Sequence, residues 1–136
     1  MKLYEKMIKL IFGFILLTSV VSCTQTVDSN EFFKNESVLK LNIYQADTLI
    51  VYNSIDLEIN SHKVKELQDW IDNNKTDWKN SPASFARPSI SIIGKNFRML
   101  IFRDFVVIGF TDSNNKERQI TRQSDFREFE FLIDKK

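Results

Sequence analysis

SISIIGKNFRMLIFRDFVVIGFT, residues 89–111, carries the plainest fold signal in the chain. Apolar and β-branched side chains dominate it, and Gly94, Lys95 and Asn96 interrupt it with the residue types that turns demand. A single strand from Phe97 to Phe110 would reach roughly 46 Å at about 3.3 Å per residue. A domain of this size has a radius of gyration of about 13 Å, so the chain must double back. A tight turn is therefore expected at Arg103 and Asp104, which makes the stretch a meander of strands over 89–93, 97–102 and 105–111.

The pattern extends in both directions. Downstream, Asp112, Ser113, Asn114, Asn115 and Lys116 spell another turn, and 117–122 another strand. Residues 128–133 alternate like a last strand, while Phe126 and Phe129, three apart, suit a helical turn over 124–129 equally well. Upstream, Leu39, Leu41 and Ile43 alternate with Lys40 and Asn42, and Ile55, Leu57 and Ile59 with Asp56, Glu58 and Asn60. Each is the period of a strand with one wet face. The β-branched run at 48–52 reads as a strand between them, bounded by turn residues Ala46, Asp47, Asn53 and Ser54. The period changes once. Ser61 can cap a helix over 61–74 whose apolar positions Val64, Leu67, Trp70 and Ile71 fall at helical spacing, and His62 and Glu66 lie four apart on it. Residues 75–88 are then a long loop stiffened by Pro82 and Pro88. Loops of that length are sometimes binding loops, which makes Trp78 and Phe85 the candidate partner contacts. The fold class is α+β, an antiparallel meander of six to eight short strands with one main helix.

The first 23 residues have a different chemistry. Lys2, Lys6 and Lys9 precede an apolar run from Leu10 to Val21, the order of parts in a secretory signal. At about 12 residues that run is too short for the roughly 20 that a membrane-spanning helix needs. Val20, Val21 and Ser22 then lead into Cys23, the one cysteine of the chain. Val20-Val21-Ser22-Cys23 resembles the bacterial lipobox, after which signal peptidase II cuts and the cysteine is acylated, with valine standing where leucine is commoner. The chain as a whole, rich in Ile, Asn, Lys and Phe, resembles the small envelope lipoproteins of AT-rich Gram-negative bacteria. The resemblance implies three acyl chains on Cys23, and at about 0.8 kcal/mol per buried methylene such an anchor does not let go. It implies an outer-membrane destination as well, because enteric lipoproteins kept in the inner membrane carry aspartate where this chain has Thr24.

Three segments follow: a signal over 1–22, a lipidated Cys23 with a flexible tether to 37, and one small domain over 38–136. As a coil, residues 24–37 would reach about 20 Å, although Phe32 and Phe33 suit docking on the domain. Residues 1–22 hold three of the 19 basic and one of the 18 acidic residues, so the remainder lies one negative charge from neutral. That balance argues against nucleic acid as a partner. With no cysteine beyond the anchor, the domain must be held by its core, and ten of the twelve phenylalanines are available to fill it. The single histidine, His62, and three glycines leave no material for a triad, a zinc site or a glycine-rich phosphate cradle, and no metal or cofactor is expected. Paired carboxylates remain available at Asp69, Asp72 and Asp77, which a carboxylate-based hydrolase would need. Their place at a helix C-terminus favours solvated charge instead. The expected activity is non-catalytic binding of a protein partner, of inhibitor or immunity type. The alternative is a structural or accessory role in an envelope assembly.

Overall fold

A computed structural model of the chain describes residues 24–85 and 87–133. The signal and lipobox readings on Val20, Val21, Ser22 and Cys23 lie outside the described residues. Among the described residues, two helices, seven strands and a 3₁₀ helix follow in the order α1 (Ser29–Phe33), β1 (Val38–Tyr44), β2 (Val51–Glu58), α2 (His62–Asn73), β3 (Lys79–Asn80), β4 (Ile90–Ile93), β5 (Phe97–Ile101), β6 (Phe105–Thr111), β7 (Glu117–Gln123) and the 3₁₀ helix (Phe126–Leu132). The strands form one antiparallel sheet in the order β2-β1-β4-β5-β6-β7-β3. The class is α+β, and β4 to β7 form the meander that the 89–111 stretch requires. Its turn falls at Arg103 and Asp104, closed by the Phe102 amide donating to the Phe105 carbonyl at 2.9 Å.

Alternation sorts the sheet into two faces. Leu41, Ile92, Met99, Ile108 and Ile120 stand in one row across β1, β4, β5, β6 and β7, all fully buried. Against this face pack Val64, Leu67, Trp70 and Ile71 of α2, Phe32 and Phe33 of α1, and Phe129 and Leu132 of the 3₁₀ helix. The Trp70 and Phe129 rings meet at 4.5 Å. The other face carries Asn42, Ser91, Leu100, Val107 and Thr121 in the neighbouring row.

Four expectations need correction. First, 48–52 and 55–59 are not two strands. Val51–Glu58 is one strand, and the reversal lies at 45–50, where Asp47 takes a φ of 57° and the Thr48 hydroxyl accepts the Ile50 amide at 3.1 Å. Ser54, read as a turn residue, instead donates its hydroxyl across the sheet to Asn42 Oδ1 at 2.8 Å. Second, residues 75–88 are not wholly loop, because β3 pairs with β7 and seals that edge. Third, of the two readings left open for 124–133 the helical one holds and the strand over 128–133 does not. Asp125 and Glu128 make a reciprocal capping box, and a period of three brings Phe126, Phe129 and Leu132 onto one side.

The fourth correction concerns the tether. The Gln25 amide donates to the Trp78 carbonyl at 2.8 Å, and the Gln25 side-chain amide donates to Asn80 Oδ1 at 2.7 Å. Val27, Phe32 and Phe33 are core residues. Phe32 meets Phe97 at 5.7 Å and Phe110 at 5.0 Å, and Phe33 meets Phe97 at 4.9 Å. The Ser29 amide and hydroxyl both donate to the Asp72 carboxylate. Glu36, nearly buried, accepts the Lys95 and Asn96 amides at 2.7 Å each. Two apolar rings and two carboxylate clamps hold the segment down, so the domain begins near Gln25 and not at Val38.

Candidate functional site

The face of the sheet away from the helices carries a groove of about 970 Å³. Its floor follows from register: Ile93, Arg98, Gly109 and Gln119 stand side by side across β4, β5, β6 and β7. Leu100 lies beside them, and Ile93 is 41% exposed, large for an isoleucine in the interior of a sheet. Gly109 keeps the floor low, and a Cβ there would sit 3.5 Å from Arg98 Nη2. A glycine inside a strand often marks close approach by another group, and here that group is the Arg98 guanidinium.

One wall is the segment 81–85. The Gln119 side-chain amide donates to the Ser81 carbonyl at 2.9 Å and the Ala83 carbonyl at 2.7 Å, which hangs the segment over the sheet. Its Oε1 accepts from Arg98 Nη2 at 3.2 Å, so one glutamine positions both the wall and the guanidinium. Phe85 ends that wall half-buried, its ring 5.8 Å from Phe102 and 5.4 Å from Phe105. Phe102 and Phe105 stack at 4.3 Å. Val107 beneath is fully buried yet stands apart from the main core, so this face has a small apolar cluster of its own.

Lys95, Arg98 and Arg118 border the groove, opposed by the single carboxylate of Glu117. Arg118 is already countered by Asp112 at 3.5 Å. The Lys116 amide, then the Asn114 amide and Arg118, hold the Asp112 carboxyl below the usual carboxylate range. Arg98 has no carboxylate partner among the described residues.

The second surface lies at the opposite edge. β2 is the outermost strand, and its approach exposes four consecutive apolar residues: Leu49 at 66%, Ile50 at 63%, Val51 at 45% and Tyr52 at 70%. An unpaired strand edge offers backbone donors and acceptors to an incoming strand, and charge or proline usually blunts it. Here apolar side chains stand at its start. Six interstrand spacings of about 4.8 Å separate β2 from β3, roughly 29 Å across the sheet.

Of the two loop aromatics expected to meet a partner, Trp78 does not. It is fully buried, donates its indole N–H to the Asn74 carbonyl at 2.6 Å and meets Trp70 edge-on at 6.3 Å. Phe85 lines the groove but is half covered. The three aspartates do not converge on the groove. Asp69 pairs with Lys65, Asp77 is exposed in a left-handed conformation, and Asp72 serves Ser29. Burial raises the Asp72 carboxyl, but the Ser29 amide and hydroxyl outweigh it and leave it below its ordinary value. His62 lies 3.1 Å from Glu66 on the exposed side of α2. The sequence reading missed the exposed tip and the trio Arg98, Gly109 and Gln119. Gly109, a lone glycine in a strand pattern, was the one signal that marked the groove. No protein-family model, curated protein or solved structure matches the chain.

Proposed function

We propose that this chain is an envelope lipoprotein, acylated at Cys23 and destined for the outer membrane, that acts as a non-catalytic binding module for a protein partner of the inhibitor or immunity kind. The observation that carries the binding reading is the apolar tip Leu49, Ile50, Val51 and Tyr52 on the open β2 edge. Solvent gains nothing from four apolar side chains in a row, whereas a protein partner gains both their burial and an edge to pair with. Tyr52 supplies a large rigid contact at low entropy cost, the residue type favoured at the centre of protein interfaces. The groove lacks a pair of opposed carboxylates, and Asp69 and Asp72 are engaged elsewhere, which supports binding over hydrolysis.

The test is photo-crosslinking in the producing cells, with benzoylphenylalanine at position 52 and, as control, at Lys65 on α2. One discrete protein adduct at position 52, absent at 65 and lost on Leu49→Asp, is the expected result. Identical adducts at both positions, or none, refute it. Cys23→Ala tests the anchor separately, with loss of acyl label and of membrane fractionation expected.

A further inference from the structure

We infer that the groove over Gly109 seats the headgroup of an anionic phospholipid from the membrane that holds the protein. The inference rests on the lipoprotein reading for its geometry. Gln25 is fixed on both its backbone and its side chain, and the side-chain partner is Asn80, which lines the groove. Cys23 stands only two residues before Gln25. Two residues span at most about 7 Å, so an acylated Cys23 brings the bilayer surface to that wall. A flexible coil of the expected length would have left the groove free to face anywhere.

The groove's chemistry matches what lies at that depth. Lys95 and Arg98 lack carboxylate partners among the described residues, and Arg98 is aimed across the floor by Gln119. A guanidinium presents a planar fork suited to phosphate oxygens. Ile93 and Leu100 beside it offer apolar surface to the first methylenes below the headgroup. Gly109 lets the Arg98 guanidinium lie low across the floor, within 3.5 Å of where a Cβ would stand, so that its outer side faces the groove. With Arg118 paired to Asp112, Lys95 and Arg98 stand against the single carboxylate of Glu117, a balance that favours a headgroup with net negative charge over a zwitterionic one.

Native mass spectrometry of the full acylated chain in mild detergent reads both claims in one spectrum. The protein mass reports acylation of Cys23. Adducts on titration with phosphatidylglycerol, phosphatidylcholine or inorganic phosphate report the groove. Phosphatidylglycerol should bind preferentially, and Arg98→Gln and Gly109→Val should each weaken it at least tenfold. Gly109→Val pushes the Arg98 guanidinium off the floor, and Arg98→Gln removes it from an exposed position; a melting temperature within about 4 °C of the parent's for each variant, about 1 kcal/mol, excludes misfolding as the cause of the losses. Equal binding of phosphatidylcholine, phosphate bound as tightly as the lipid, or an adduct indifferent to both substitutions overturns the inference. An acylated Cys23 without a phosphatidylglycerol adduct sinks the groove proposal alone. A bare Cys23 sinks the anchor reading and with it the placement of the groove at the membrane, whereas an adduct lost in both variants would still identify the lipid site.

Discussion

Replacing Phe32 by Ala decides whether residues 24–37 belong to the domain. Phe32 is 4% exposed and packs between the rings of Phe97 and Phe110. Truncating a core phenylalanine costs about 3 to 5 kcal/mol, and the lower end applies where a short helix at the margin can partly collapse into the gap. About 3 kcal/mol is a large share of a stability of roughly 5 to 15 kcal/mol. At about 4 °C per kcal/mol for a domain of this length, the melting temperature should fall by about 12 °C. Urea unfolding of the full chain in mild detergent, followed by near-ultraviolet circular dichroism, measures the loss directly. Lys34→Ala, exposed on the same segment, should change stability by less than about 0.5 kcal/mol. A double-mutant cycle with Phe97 should return a coupling of about 0.5 to 1.5 kcal/mol. A Phe32→Ala loss below about 1 kcal/mol, with no coupling to Phe97, would mean that the segment is the tether its polar composition suggests.

Three further substitutions probe the two carboxylate clamps on that segment. Gly94→Ala would put a Cβ 2.6 Å from the Glu36 carboxyl carbon, expelling the group that accepts the Lys95 and Asn96 amides. It should cost about 1 to 3 kcal/mol by chemical denaturation. Glu36→Ala should cost a similar amount, and the double variant little more than either; additive losses would contradict a shared contact. The Asp72 carboxyl titrates below its ordinary 3.8 in the folded chain, so its contribution is present above that value and is lost as pH falls through the lower, folded one. Asp72→Asn should therefore lower stability at neutral pH and flatten its fall below about pH 4, and an acid limb identical to that of the parent chain would refute the Ser29 contact as its cause.

The elements legible in the sequence were those whose burial repeats with their own period. β1, β4, β5, β6 and α2 each present one apolar face to one core, so alternation or helical spacing locates them. The length of a single strand from Phe97 to Phe110 placed the turn at Arg103 and Asp104 without any glycine there. The failures share a cause: composition does not record which apolar residues are covered. Residues 48–52 are as β-branched as any buried strand, yet most of them lie on an open edge. Trp78 sits in a stretch with no period; its ring lies against Trp70 of α2 and its backbone pairs with Gln25, contacts that only the fold creates, and β3 beside it is too short to alternate visibly. The 3₁₀ helix was masked because Phe129, Phe131 and Ile133 alternate as well as they step. Asp125 and Glu128 at capping-box spacing were the better signal, since a cap describes a helix end whatever follows.

The candidate site was legible only through Gly109, and the reason lies in how the groove is made. None of its residues is unusual in type. Arg98 becomes distinctive because Gln119, two strands over in the same register row across Gly109, accepts its N–H while holding Ser81 and Ala83 with its own amide. That relation exists only once β5, β6 and β7 are paired. The docked N-terminal segment then gives the molecule a direction that a coil would erase. Gln25 is fixed beside Asn80 at the β3 edge, and the apolar tip lies at the β2 edge, the opposite end of the strand order. If Cys23 is acylated as proposed, the groove would be turned toward the bilayer and the tip away from it. The proposed lipid and the proposed partner would then meet different parts of one sheet, and neither would have to be released for the other to bind.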